Sequence, residues 1–300
     1  MKWIVFGDLH INKPFKDMIV NPYSNLRSTV EDLYAIGLKN YILDIVRTYT
    51  IDKAQVVFIG DITHYNQDRF EHVTDIFDSV IELRPNWQMH VVIGNHDTSN
   101  SYNLNIAKIR KLHGYRDRVY IYDKVDYLDS NDFRLLFLPY VREATILPTI
   151  KRYHSDKPMV ILSHNNIYST RWYGNKEMIT YSSMRDIGDI VLINGHIHRH
   201  FIMPGYYQIG SAAPTSFKEY FQARGCCVFD DVTQQFTVHK NTKLFFLSLY
   251  SEYYIDNMRD LLQSCETHNT KVFLRTQFKQ LAEEFKDTVV ALEVDSENQQ

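Results

Sequence analysis

The stretch "VLINGHIHRH", residues 191–200, joins a continuous apolar run to a group of histidines. Consecutive Val, Leu and Ile residues are typical of a strand that is buried on both faces. Gly195 ends the run, and His196, His198 and His200 follow at alternate positions. The stretch therefore predicts a buried strand that opens into a site containing imidazole groups.

Four other apolar runs end in a similar way. "WIVF" is followed by "GDLH" (7–10), "VVFI" by "GDITH" (60–64), "HVVI" by "GNHD" (94–97) and "MVIL" by "SHNN" (163–166). Each run thus leads into a carboxylate, carboxamide or imidazole group. Ligands of open α/β sheets gather beyond the carboxyl ends of the strands, so we expect these side chains to converge on one edge.

The segments between the runs indicate the fold class. Apolar residues recur at helical spacing over 30–46 and 69–83, between strand-like runs, which favours α/β architecture with a largely central sheet. Beyond Lys243 the pattern reads β-α-β-α-β. The sequence therefore predicts two domains, a larger one over 1–243 and a small one over 244–300.

Composition excludes several classes of protein. The 300 residues are 44% hydrophobic and 23% charged with a net charge of -3, which is ordinary for a soluble protein and gives no general basic field for nucleic acid. No apolar run approaches the ~18 residues of a membrane span. The three cysteines, Cys226, Cys227 and Cys265, form no disulfide framework, so we expect buried thiols and a cytoplasmic protein without membrane contact.

The chemistry of the polar groups suggests metal binding. Carboxylates mixed with imidazoles and a carboxamide, without thiolates, favour Mn²⁺, Fe²⁺ or Zn²⁺ over a structural zinc site. Seven candidate ligands exceed the needs of one ion, whereas two ions that share a bridging carboxylate would use them all. The candidates are Asp8, His10, Asp61, Asn95, His164, His196 and His198. Two such ions suit phosphoryl displacement, because together they contact both the attacking and the leaving oxygen.

In their order along the chain, these motifs resemble those of the calcineurin-like metallophosphoesterases. The resemblance implies a four-layer α/β/β/α sandwich with a small C-terminal α+β capping domain. Within the superfamily the motifs are most similar to the SbcD nucleases, which include the meiotic-recombination-eleven proteins. "GDITH", "GNHD", "LPYVRE" (138–143) and "YQIGSAAPTSFKE" (207–219) carry this finer resemblance, which covers roughly residues 1–240.

The resemblance implies two metal sites that share one residue. The first would be held by Asp8, His10, Asp61 and His198. The second would be held by Asp61, Asn95, His164 and His196. Asp61 would then bridge two divalent ions, for which we expect Mn²⁺.

Three further residues receive roles from the same resemblance. His96 would protonate or stabilise the leaving oxygen, and Asp97 would orient His96. His64 would help to position the substrate, although a surface role is the alternative for that residue. His200 matches no position of the pattern, so we expect a solvated side chain there.

Three functions follow, of which the first is favoured. The first is a two-metal DNA nuclease, with exonuclease or endonuclease activity, that works with an SMC-like ATPase of the SbcC/Rad type. The chain contains no GxxxxGK[ST] loop, so ATP hydrolysis would belong to that partner. The second is a phosphoesterase for small phosphodiesters or phosphoproteins. The third, a scaffold without activity, is disfavoured by the intact ligand set.

Two alternatives concern assembly. The apolar helix faces over 70–83 and 106–112 predict either a homodimer contact or intradomain core. Many SbcD relatives also carry a helix-loop-helix beyond the cap that binds the ATPase. The sequence shows no such helix-loop-helix after the predicted cap. Two explanations stay open, a compact, phage-type version with a reduced partner contact and a shortened chain.

Overall fold

A computed structural model describes residues 1–15, 18–50, 54–64, 70–98, 108–169, 179–219, 224–233, 235–249, 254–276 and 278–293. The strands are β1 (Lys2–Phe6), β2 (Met18–Val20), β3 (Ala54–Ile59), β4 (Gln88–Val92), β5 (Val119–Tyr122), β6 (Asp126–Asp129), β7 (Arg134–Leu138), β8 (Met159–Ser163), β9 (Ile167–Tyr168), β10 (Ile179–Thr180), β11 (Ile190–Asn194), β12 (Phe201–Met203), β13 (Tyr206–Gln208), β14 (Gly225–Asp230), β15 (Gln235–Lys240), β16 (Leu244–Leu249), β17 (Lys271–Thr276) and β18 (Val289–Glu293). The helices are α1 (Val30–Thr48), α2 (Glu71–Leu83), α3 (Asn95–Thr98), α4 (Glu143–Tyr153), α5 (Tyr181–Arg185), α6 (Ile255–Thr267) and α7 (Lys279–Glu284).

The strands that precede the motifs lie in two different sheets. One six-stranded sheet has the order β15-β14-β1-β3-β4-β5, with β1, β3, β4 and β5 parallel. The other has the order β12-β13-β11-β8-β7-β6, with β7, β8, β11 and β13 parallel. The alternation of runs and helices favoured a largely central sheet, whereas the strands form two sheets, as the four-layer resemblance implied. An apolar run specifies burial on both faces but not which strand it pairs with.

The two sheets pack face to face with helices outside. Val5, Val57 and Ile59 of the first sheet meet Phe137 and Leu162 of the second in one apolar cluster. On the outer face of the first sheet lie α1 and α2, and on that of the second lie α4 and α5. The result is the four-layer α/β/β/α sandwich that the motifs implied.

Helix α1 illustrates how local sequence builds a layer. Thr29 and Asp32 form a capping box, in which each side chain accepts a hydrogen bond from the other residue's amide. Apolar residues at helical spacing, including Leu38, Ile42 and Val46, are buried against the first sheet. The cap fixes the start of the helix, and the apolar face fixes its rotation.

The C-terminal segment has the predicted β-α-β-α-β order and forms a four-stranded sheet, β16-β17-β18-β2. Its edge strand β2 comes from the N-terminal part of the chain and pairs antiparallel with β18. Phe246 and Phe273 belong to the same apolar cluster as α1, and a Cβ at Gly37 would lie 2.4 Å from Cδ1 of Leu244. The sheet thus packs closely on α1, and the division into 1–243 and 244–300 stays a prediction.

Other expectations meet the structure at single residues. Cys226, Cys227 and Cys265 are buried free thiols. The apolar face of α2, as well as Ile109 and Leu112, is buried in the chain's own core, whereas Ile106 lies outside the described residues. The homodimer stays a prediction that these faces do not explain. Among the described residues, every helix is too short or too polar to cross a membrane.

Candidate metal centre

The loops that follow β1, β3, β4, β8 and β11 meet at one edge of the sandwich. Backbone hydrogen bonds tie the first two loops together, from the amides of Leu9 and His10 to the carbonyl of Asp61 at 3.1 and 2.9 Å. His10, Asp61 and His196 all adopt left-handed backbone angles, with φ of 48°, 46° and 69°. Such conformations are unfavourable for residues with side chains and concentrate at functional sites.

Space in this edge is tight enough to require glycine. Gly60 has φ of +67°, and a Cβ there would lie 2.1 Å from Nδ1 of His164. The glycine that precedes the carboxylate in "GDITH" therefore lets the loop turn beside the imidazole.

The first group of candidate ligands contains Asp8, His10 and His198. The Nε2 atoms of the two imidazoles lie 2.9 Å apart, and Nε2 of His198 lies 3.7 Å from Oδ1 of Asp8. Both carboxylate oxygens of Asp8 also accept from the amide of His196, at 3.1 and 3.2 Å. Three donor atoms thus face one small volume, as a metal ligand set requires.

The second group contains Asp61, His164 and His196. Nε2 of His164 lies 3.3 Å from Oδ2 of Asp61. Oδ1 of Asn95 lies 3.1 Å from Nε2 of His164 and 2.8 Å from Nδ1 of His196, which brings the carboxamide into the same group.

Asp61 stands between the two groups. Its Oδ2 lies 3.3 Å from His164 in the second group and 3.8 Å from Nε2 of His10 in the first. Its Oδ1 accepts a hydrogen bond from the amide of His96 at 2.8 Å, which fixes the orientation of the carboxylate. The structure therefore brings together all seven predicted ligands, with Asp61 facing one residue of each group.

Electrostatic coupling across the centre is strong. Burial opposes the charged form of His164, but Asp61 and Asp8 outweigh it and raise the pKa of the imidazole to about 10. Burial likewise opposes ionisation of Asp61, yet the charge and hydrogen bond of His164 hold the pKa of this carboxyl well below its usual range. Burial raises the pKa of Asp8. Two buried carboxylates in one centre call for a compensating positive charge.

His64 and His96 lie beside the first group rather than inside it. Their rings stack with centroids 4.8 Å apart, and each ring lies about as close to His10, at 5.3 and 4.9 Å. Burial lowers the pKa of both imidazoles, that of His64 to about 4. Donor atoms of the three histidines also lie close enough to hold an ion. The neutral rings border the centre where a substrate could reach them.

Asp97 is fully buried and ties two loops together. Its Oδ2 accepts from the amide of Gly94 at 2.9 Å, and its Oδ1 accepts from the amide and hydroxyl of Thr63 at 3.2 and 3.4 Å. The carboxylate therefore joins the "GNHD" loop to the "GDITH" loop. Its predicted role in orienting His96 stays a prediction.

Glu219 is a site residue to which the sequence assigned no role. Its Oε1 lies 2.9 Å from Nδ1 of His198, and its Oε2 accepts from the amide of Thr215 at 2.8 Å. Although burial opposes ionisation, the hydrogen bonds from His198 and Thr215 lower the pKa of Glu219 to about 2. The signal lay in the quoted "YQIGSAAPTSFKE", whose last residue is this glutamate.

This donor set fits two divalent ions. Carboxylate oxygens, a carboxamide oxygen and imidazole nitrogens converge from five loops, and the buried carboxylates supply negative charge. A partner for the outer nitrogen of a ligating histidine is typical of metal sites, and Glu219 provides one for His198. His164 similarly has its Nδ1 3.0 Å from the carbonyl of Ile59.

The fold and this centre define the class as a metal-dependent hydrolase with a dimetal site. A sequence model of the calcineurin-like phosphoesterases matches residues 1–200, so the chain belongs to that family. It is accordingly a metal-dependent phosphoesterase. No protein of curated function matches the chain in sequence.

Solved structures provide further similarities of low identity. A dimetal phosphatase from Danio rerio is 13% identical to this chain. The similarity covers 76% of this chain and 91% of the phosphatase chain, with a TM-score of 0.43. An archaeal phosphodiesterase is 10% identical, with 80% and 99% covered and a TM-score of 0.40. The nuclease MPE of Pseudomonas putida is 11% identical, with 76% and 83% covered and a TM-score of 0.31.

Proposed function

We propose that the chain is a two-metal DNA nuclease of the SbcD type, which hydrolyses phosphodiester bonds at DNA ends. One observation carries the proposal beyond the family. The stretch "YQIGSAAPTSFKE", which marks the resemblance to SbcD nucleases, enters the centre through the 2.9 Å contact between Glu219 and His198. The stretch on which the resemblance rests thus contributes a residue to the site, which supports the proposal.

The ligand groups have separate tasks in this proposal. Asp8, His10 and His198 would hold one ion, and Asn95, His164 and His196 the other, with Asp61 shared. Bound divalent ions would polarise the phosphate and offset the charge that develops on the attacking and leaving oxygens. We propose Mn²⁺ as the native ion, because imidazole-rich sets with carboxylates suit it better than they suit Mg²⁺.

His96 and His64 would act on the substrate side. Cleavage of the P–O bond leaves an oxygen that needs a proton or a hydrogen bond. Burial lowers the pKa of His96, so its imidazole is neutral near pH 7 and can donate an N–H to that oxygen. His64, stacked on His96, would help to position the substrate.

Partners follow from the same proposal. DNA is the substrate, and an SMC-like ATPase of the SbcC/Rad type would supply ATP hydrolysis, for which the 300 residues contain no GxxxxGK[ST] loop. Because the net charge is only -3 and carries no basic excess, DNA affinity would depend on local contacts or on that partner.

The test is cleavage of linear duplex, hairpin and single-stranded DNA beside bis-p-nitrophenyl phosphate, in Mn²⁺, in Mg²⁺ and after chelation. We expect Mn²⁺-dependent cleavage of DNA and of the small diester. Hydrolysis of the small diester without cleavage of any DNA would favour the alternative, a phosphoesterase for small phosphodiesters or phosphoproteins. Equal or better cleavage in Mg²⁺ alone would contradict the choice of ion.

A further inference from the structure

A cavity adjoins residues 195–200, the histidine loop that follows β11. Its volume is about 320 Å³, and its walls include the aromatic rings of Tyr168, Phe201 and Tyr206. Tyr168 belongs to β9, which follows the His164 loop, and the other two belong to β12 and β13 at the edge of the second sheet. The cavity therefore lies next to the metal centre.

Residues of the loop alternate between the two sites. His196 and His198 belong to the ligand groups, whereas Ile197 and Arg199 line the cavity. One short loop therefore contributes side chains both to the ligand groups and to the cavity. A molecule in the cavity would thus lie one residue away from the metal ligands.

The floor of the cavity is rigid because Gln208 is fully bonded. Its Nε2 lies 3.0, 2.7 and 2.8 Å from the carbonyls of Asn194, Gly195 and Ile197, all in or beside the histidine loop. Its Oε1 accepts from the side-chain Nδ2 of Asn194 at 2.9 Å and from the hydroxyl of Tyr206 at 2.8 Å. A buried network of this kind holds the cavity in its shape without a ligand.

The walls suit a planar aromatic ligand with a nearby negative charge. Phe201 is 41% exposed although it lies on a strand, so its ring is available at the mouth of the cavity. Arg199, also exposed, brings a guanidinium group to the same wall. Stacking of unpaired bases on aromatic rings, with arginine near the backbone, is the usual basis of single-stranded nucleic-acid binding.

We propose that this cavity receives the unpaired base of a nucleotide next to the scissile phosphate. The inference rests on the proposed nuclease function and adds a requirement to it. A base can enter only when it is unstacked, so single-stranded, frayed or looped DNA would be cleaved in preference to intact duplex. Arg199 would contact the adjoining phosphate.

The test is a scan of single-stranded oligonucleotides, each with one abasic position, cleaved by the full chain in Mn²⁺. The variants are Phe201→Ala, which removes the ring, and Phe201→Trp, which keeps a stacking surface. Leu128→Ala is the matched control, because Leu128 is an apolar residue 43% exposed on β6, the opposite edge strand of the same sheet.

We expect one abasic position within about two nucleotides of the cut to slow the wild-type chain by about five-fold or more, the scale of one base–aromatic stack. Phe201→Ala should slow cleavage of the intact strand to a similar degree and should be insensitive to that abasic position. Phe201→Trp should restore the sensitivity, and Leu128→Ala should behave as the wild type.

Two outcomes would overturn the inference in different ways. If Phe201→Ala cleaved DNA with the same abasic sensitivity as the wild type, the subsite would be wrong and the nuclease function would stand. If the wild-type chain hydrolysed bis-p-nitrophenyl phosphate but cleaved neither the oligonucleotides nor linear duplex or hairpin DNA, the nuclease function would be wrong and the subsite with it.

Discussion

Nε2 of His164 lies 3.3 Å from Oδ2 of Asp61, and both side chains are buried at the centre of the ligand set. Burial disfavours the imidazolium, but Asp61 and Asp8 outweigh it and raise the pKa of His164 to about 10. At neutral pH the chain without metal therefore keeps a proton on the nitrogen that a metal would need. The imidazolium of His164 thus supplies a positive charge beside the carboxylates of Asp61 and Asp8.

Metal binding should release this proton. Because the ion must displace it, Mn²⁺ affinity should rise with pH from below 7 towards the His164 pKa of about 10 and level off above it. Calorimetric titration at pH 8 in two buffers of different ionisation enthalpy would measure release of about one proton per chain. His164→Asn, as a control, should release fewer protons, and equal heats in both buffers for the wild type would contradict the prediction.

His96 is expected to act in turnover and not in metal binding. Its amide contacts Asp61, but its ring lies beside the ligand groups, 4.9 Å from the ring of His10. His96→Asn should keep two metal ions per chain and lower kcat by about 10²-fold or more, the usual scale for losing a hydrogen bond to an oxygen that develops negative charge. Metal content and cleavage rate are measured on the same sample. Near-normal cleavage by the loaded variant would remove His96 from the mechanism.

Glu219 should hold His198 in position for the first ion. Glu219→Gln keeps the shape but removes the charge beside Nδ1 of His198, 2.9 Å away. We expect one of the two Mn²⁺ ions to bind about 10- to 100-fold more weakly, as is common for partners of metal-binding histidines. Glu284→Gln, which alters an exposed ion pair with Arg259, is the control and should leave both affinities unchanged. Unchanged affinities in Glu219→Gln would limit the glutamate to a structural role.

The sequence indicated which side chains lie close together more readily than it indicated how the strands pair. Ligand motifs are local, because each follows its own buried run and all parallel strands deliver their loops to a common edge. Pairing between strands is not local, so Val5 and Leu162, on runs that look alike, could not be assigned to different sheets. Glu219 shared this difficulty. Its partner His198 is 21 residues away, and only a fold can bring them together.

The C-terminal segment illustrates a second limit. The sequence predicted the order of its strands and helices, but not the elements against which they pack. Leu244, Phe246 and Phe273 lie in one apolar cluster with α1, and β2 completes its sheet from the far end of the chain. Removal of residues 244–300 would expose that cluster, so we do not expect a truncated chain to report on DNA binding alone.

His90 should make stability depend on pH. It is buried between the two sheets, with Nδ1 2.9 Å from the hydroxyl of Tyr122 and Nε2 3.0 Å from Oε1 of Gln55. Burial lowers the pKa of His90 to about 4, so the folded chain keeps the ring neutral while the unfolded chain protonates it below its ordinary value of 6.5. The loss of stability begins as pH falls below 6.5 and stops growing below about 4.

The measurement is the free energy of unfolding at pH 7 and pH 5 in wild type and His90→Gln. The wild type should lose about 2 kcal/mol more than the variant over that interval, since each pKa unit corresponds to about 1.4 kcal/mol. His268→Gln, at an exposed histidine, should follow the wild type. Parallel pH profiles for wild type and His90→Gln would mean that His90 titrates alike in both states.

Two carboxylates lie close enough to both ligand groups to serve as the proposed bridge. Oδ2 of Asp61 lies 3.3 Å from His164 and 3.8 Å from His10, one residue of each ligand group. Oδ1 of Asp8 lies 3.7 Å from Nε2 of His198 and 3.9 Å from Nε2 of His164, so it also faces both groups. Its distance to His164, in the second group, is longer than the 3.3 Å from Asp61. Distance favours Asp61.

Removal of the bridge should cost both ions, whereas removal of a terminal ligand should cost one. Two dications about 4 Å apart repel strongly, and a carboxylate between them offsets that repulsion. We therefore expect Asp61→Ala to retain close to no Mn²⁺ per chain and Asp8→Ala to retain about one, with both variants inactive because a single ion cannot contact both oxygens of the displacement. Calorimetric titration of the folded variants with Mn²⁺ decides between the carboxylates. The reverse stoichiometry would make Asp8 the bridge, and retention of about one ion by both variants would mean that neither carboxylate is shared.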